Sequence, residues 1–246
     1  MAWPLAGAAL NVAIAPVWHE FRARQPALQA ETAAAAGQGV TLALLGGFRA
    51  LVADAAWLRM YVLWEQRDAP GVATLIRLVA TVDPRPVYFW LNGARILAHD
   101  LPSWRLAATG GSDGAPAAWR ERVEREQAEL ALRHLAAARR QHPQSVDLWV
   151  EQAGIEWHRL RDPAAAAESY RRAAELPGAP YYVARLRAEV LRRIGRKPEA
   201  LVWLKQIHPT LPAGNEAAAP ELVLARIREL ERELGVPAAA AYRAGP

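Results

Sequence analysis

From residue 40 onward apolar positions recur at intervals of three and four, with no alternating run longer than a few residues, so the pattern predicts helices throughout. Val72, Ile76 and Val79 follow Asp68 and precede Asp83-Pro84, which predicts one helix between a cap and a stop. Val87–His99 and Glu124–His142 read as two more. Asp147 onward opens another after Ser145, a candidate N-cap. Asp162-Pro163 pairs a cap with a proline at the first helical position, where its missing N–H costs nothing. Gly178 and Gly195 read as stops, Pro198-Glu199 as a restart, and Pro209 and Pro212 as closures. Pro220–Leu234 places Val223, Ile227, Leu230 and Leu234 on one face and charges elsewhere.

Two of these helix pairs repeat in register. Gly154, Trp157, Ala166, Tyr170 and Ala173 stand 34 residues before Ala188, Leu191, Ala200, Leu204 and Ile207. That period, with small residues at the first and third of these positions, resembles the tetratricopeptide repeat family. The register gives a third repeat over Asp147–Pro180 and a fourth over Tyr181–Gly214. A degenerate first repeat falls on Ala53–Pro86, with Met60 and Val72 where small residues are expected. The second is split between Val87–His99 and Glu124–His142. The resemblance implies an all-α, right-handed solenoid of about four helix pairs, with Pro220–Leu234 as the polar cap that a stacked array needs. The organisation expected is an N-terminal apolar segment and linker (1–38), a repeat array (39–214) with an inserted loop at 100–123, and a capping helix with a tail (215–246). Leu45–Arg59 also resembles a stretch in bacterial proteins whose helical repeats follow a membrane-proximal helix, a likeness that implies no activity.

Ala2–Trp18 is mostly apolar and is near the lower length for a helix that spans a bilayer. It contains Asn11, Pro4 and Pro16 and lacks the basic start of a signal peptide. A membrane anchor and a non-inserting segment both remain open, as does a membrane-associated or cytoplasmic location. Gln25–Gln38 is an alanine-rich linker. Val40–Val52 is a poor span, because Arg49, Asp54 and Arg59 would each cost about 2.5–3.5 kcal/mol at mid-bilayer.

The net charge of +5 comes almost wholly from arginine, since Lys197 and Lys205 are the only lysines. Coding bias and a basic groove for an acidic partner both explain this. Cysteine is absent, which excludes disulfides, thiolate metal sites and cysteine nucleophiles. Gly110–Gly114 matches G-x-S-x-G, but that motif needs a strand before its serine to strain the turn. No strand pattern precedes it, so a flexible loop is the favoured reading. No histidine pair has zinc-helix spacing, and His134 with His142 lacks a nearby carboxylate. The chain therefore reads as a non-enzymatic protein needing no cofactor or metal.

What remains is the groove that the resemblance implies. Five positions of each repeat's first helix would face the concavity. They include Trp57, Tyr61 and Trp64; then Tyr88, Arg95, Ala98 and His99; then Leu148, Ile155, His158 and Arg159; and last Tyr182, Arg185, Arg192 and Arg193. Aromatic and arginine side chains dominate interface energetics, so one aromatic and one arginine-rich end point to a bound protein or peptide segment, acidic toward the arginines. The bland alternative buries Trp57, Tyr61 and Trp64 under Val40–Val52 and leaves the arginines as solvated surface. A modest charge with scattered acids makes nucleic acid the least favoured partner. Self-association into a structural assembly is the second functional class, with the membrane approached through the N-terminus if that segment inserts.

Overall fold

The computed structural model describes residues 48–109 and 114–244. Ala2–Trp18, the linker, residues 40–47 and the Gly110–Asp113 part of G-x-S-x-G lie outside the described residues. All regular structure among the described residues is helical: α1 (Arg49–Glu65), α2 (Ala69–Val82), α3 (Val87–Arg95), α4 (Leu101–Ala107), α5 (Ala117–Gln141), α6 (Val146–His158), α7 (Pro163–Ala174), α8 (Tyr181–Arg193), α9 (Lys197–Ile207) and α10 (Pro220–Glu233). None of them is long and apolar enough to cross a membrane.

The cap chemistry read from the sequence operates at α2 and α7. Asp68 Oδ1 accepts from the Gly71 N–H at 3.1 Å and Asp162 Oδ1 from the Ala165 N–H at 2.9 Å. Each satisfies a donor that the first helical turn leaves open. Ser145 occupies the N-cap of α6, but its side chain makes no cap bond. Gly195 follows α8 at φ 80°, a conformation that L side chains resist.

The stretch 100–123 is not a simple inserted loop. After α3 the chain continues through a π-turn, Ile96–Asp100, directly into α4, and α5 begins at Ala117 rather than Glu124. Pro102 accounts for the irregularity. It has no N–H, and in a regular helix its ring would collide with the Ala98 carbonyl. The helix widens instead, with the Leu101 N–H bonding to the Ile96 carbonyl five residues back. The sequence reading ended this helix at His99; the structure absorbs the proline and goes on.

The described residues from Ala50 onward form one compact unit. Within it α6 packs on α7, α7 on α8, α8 on α9 and α9 on α10, while α5 meets α3, α4 and α6. Two main apolar cores result. One gathers Met60, Val72, Ile76, Leu97, Leu135, Leu148 and Ile155; the other gathers Leu191, Leu204, Val223, Ile227 and Leu230. Burying each such side chain stabilises the fold by about 1.5–3 kcal/mol. The small residues of the repeat are inside, with Ala166, Ala173 and Ala200 fully buried and Ala188 nearly so. Trp203 is buried and donates from Nε1 to the Ala184 carbonyl at 2.8 Å, while Trp157 is half-buried. The Pro84 carbonyl accepts from Trp90 Nε1 and from His142 Nε2, each at 2.8 Å, and so ties the start of α3 to the end of α5.

Candidate partner-binding surface

Residues read as groove-lining separate into a buried set and two surface clefts. Trp57 is only 5% exposed, and its ring lies 5.1–5.9 Å from those of Tyr61, Tyr88 and Phe89. It supports the surface from below and offers a partner almost nothing. Leu148, Ile155 and Ala98 are fully buried as well, contrary to their register positions. Neighbouring helices approach closely enough there for these side chains to become mutual packing.

The first cleft has a volume of about 450 Å³ and is lined by Tyr61, Trp64, Asn92, Arg95, Ile96, His99, Asp100 and Glu151. α1 supplies the two rings, α3 and the π-turn its middle, and α6 the Glu151 carboxylate. Trp64 Nε1 donates to Asp100 Oδ2 at 2.8 Å, with its ring edge-on to Trp104 at 5.9 Å. Arg95 Nε donates to Glu151 Oε2 at 2.8 Å. The Tyr61 and Tyr88 hydroxyls lie 3.4 Å apart, an interaction that raises the Tyr61 pKa. Arg159 Nε donates to His99 Nδ1 at 3.0 Å. Burial first, and the Arg159 charge second, lower the His99 pKa from its ordinary value, so the ring is neutral and able to accept that bond.

The second cleft, about 240 Å³, lies between α8 and α10. Leu186, Leu204, Leu222, Val223 and Leu230 contribute apolar lining, with Tyr182, Arg185, Arg192 and Arg226 alongside. Arg185 Nη1 donates to the Ala217 and Ala218 carbonyls at 3.1 and 2.8 Å. Arg192 grips Glu189 with two bonds, 2.9 and 2.8 Å, and Arg193 adds a third at 2.8 Å. Bonds from Arg192, then Arg193, hold the Glu189 carboxyl down to about 2, despite partial burial that opposes the shift. His158 is exposed and lines neither cleft, its ring edge-on to Trp157 at 6.4 Å.

The arginine face is thus more tied down than the sequence suggested. Arg192 and Arg193 share one carboxylate, Arg185 caps backbone carbonyls and Arg159 bonds a neutral histidine. The last two retain their full charge, so the face stays positive although each guanidinium is already oriented. Other arginines are packing elements: Arg139 lies 4.2 Å over Trp149 and Arg187 4.2 Å over Trp203.

Sequence reasoning missed two contributions. Asp100 reaches the first cleft because the π-turn carries the helix past Pro102, and a short window offers no signal for that. α10, read as a cap, supplies part of the second cleft's apolar lining; its 3.6-residue periodicity showed an apolar face without showing that part of it stays open. A larger cavity, about 810 Å³, lies elsewhere, around the His208–Leu222 connection and Tyr242, and contains none of the expected groove residues. No group of three or more His, Cys, Asp or Glu among the described residues is placed to hold a metal ion. No protein-family model matches the chain, and no curated protein matches it.

Proposed function

We propose that this chain is a non-enzymatic interaction scaffold, a tetratricopeptide-like solenoid that holds an extended, partly acidic segment of a partner protein along its groove. The observation that carries the reading is the arrangement of the two clefts. Residues that the repeat register assigns to one groove, from α1 and α3 at one end and α8 at the other, come to the surface in concavities that combine exposed rings with fixed charges. Interfaces rely on such rigid aromatic and arginine groups because they give contact area at little entropic cost. The 34-residue spacing of Ala166 and Ala200, both fully buried, supports the solenoid part of the reading.

The clefts revise the expected polarity of the partner. The arginine-bearing end also has an apolar lining, so an apolar anchor flanked by acids fits there, and the Tyr61–Trp64 end offers rings beside charges of both signs. Panning displayed peptides against the wild type and against Tyr61→Ala/Tyr182→Ala tests this. The double variant removes one exposed ring from each cleft. Selected peptides should bind it at least tenfold more weakly, about 1.4 kcal/mol, with little change in melting temperature. Peptides that bind both proteins equally would remove the groove reading.

A further inference from the structure

The back of α1 carries a surface that the groove reading does not use. On a 3.6-residue helix, Ala53, Trp57 and Met60 form the face turned into the core, and all three are buried. Diametrically opposite runs Leu51, Ala55, Leu58 and Val62, spaced four, three and four residues apart. Leu51 is 65% exposed, Leu58 67% and Val62 40%. The contrast with α10 is instructive: there Glu221, Arg228 and Arg232, all exposed, run opposite the buried Val223, Ile227 and Leu230 and keep that helix polar outside. α1 carries no such polar outer stripe.

We propose that this stripe is the seam of a parallel, two-fold homodimer in which α1 pairs with α1 of a second copy. The 3-4 spacing is that of a coiled-coil seam, with Ala55 and Val62 at the first core position of the heptad and Leu51 and Leu58 at the second. Leucine at the second position with a β-branched residue at the first, here Val62, favours two parallel strands. The two charges beside the stripe agree with this. Asp54 flanks it on one side and Arg59 on the other, five residues later, and both are exposed. In a parallel pair that offset brings Asp54 of each copy to Arg59 of the other, whereas an antiparallel pair would not join them. Because the seam lies opposite the core face, the remainder of each copy stays on the outside of the pair. Glu65, at the next seam position, closes the interface after about two heptads. The contact is small, so association is concentration-dependent.

The proposal is independent of the groove, and none of the test variants removes a cleft residue. Sedimentation equilibrium of the full chain over roughly 1–300 µM, a range suited to a small interface, should show a reversible monomer–dimer equilibrium. Leu58→Lys should abolish it with little change in helix content. Asp54→Arg should weaken it by about tenfold, from two lost attractions and two new repulsions, and Asp54→Arg/Arg59→Asp should restore it. The chain has no cysteine, so Ala55→Cys reports geometry directly: mild oxidation should yield a linked dimer, while Thr74→Cys on α2 should not. A monomer throughout the range, with the stripe covered by the chain's own N-terminal segment or by lipid, overturns the proposal. A dimer that survives Leu58→Lys, or one that Ala55→Cys does not link, also overturns it.

Discussion

Gly93 and Gly154 both lie inside helices, and replacing each with alanine should shift stability in opposite directions. Alanine is favoured over glycine in a helix interior by about 1 kcal/mol, because the unfolded chain loses less freedom on folding. At Gly154 in α6, an added Cβ meets nothing within 4 Å, so that gain should be realised in full. The repeat register assigns this position to a tight helix contact, yet the structure leaves room there. At Gly93 in α3, the Cβ would lie 2.8 Å from Ile76 Cγ2 and 2.9 Å from His134 Nε2. Both neighbours are buried, one on α2 and one on α5, and overpacking of this kind costs about 1–3 kcal/mol. The propensity gain offsets only part of that, which leaves Gly93→Ala less stable by about 1 kcal/mol. For a unit of this size 1 kcal/mol moves the melting midpoint by about 2–4 °C. Urea unfolding followed by circular dichroism should therefore order the proteins Gly154→Ala, wild type, Gly93→Ala. If Gly93→Ala matched or exceeded the wild type, the convergence of α2, α3 and α5 on that residue would be wrong.

His134 sets a pH limit. It is 8% exposed, its ring lies 4.8 Å from Trp90, and burial lowers its pKa to about 4 against the opposing effect of a hydrogen bond with the Trp90 backbone. The unfolded chain takes up the proton near pH 6.5 and the folded chain resists it, so stability is full above 6.5 and falls as pH drops toward 4, by about 3 kcal/mol in all. Denaturation at stepped pH should show this slope in the wild type and lose it in His134→Gln; equal slopes would refute the assignment. Ala200→Leu, at a fully buried small position, should cost about 1–3 kcal/mol by overpacking, and an unchanged melting temperature would show the repeat register to be misplaced. Arg192→Gln/Arg193→Gln frees Glu189 and should weaken capture of acidic peptides and flatten its salt dependence. The lost surface pairs should cost less than about 1 kcal/mol of stability, and unaltered binding would make these arginines solvated surface only.

Local chemistry was enough to determine the helical elements. Asp68 and Asp162 cap where a short polar side chain can bond the first open N–H groups, and the 3.6-residue spacing of Val72, Ile76 and Val79 marks a buried face, because both effects act within one or two turns. Tertiary structure decided what those faces meet. Trp57 and Tyr61 are one turn apart and both aromatic, yet one is core and the other surface, since Tyr88 and Phe89 from a distant helix pack against the Trp57 ring. Arg185 reads as free charge until the Ala217 and Ala218 carbonyls, more than thirty residues on, are seen to accept from it, and Asp100 reaches the first cleft only because a proline two residues later forces a π-turn instead of a stop. Burial and pairing depend on which helices come together, and that choice is made by contacts between residues far apart in the chain.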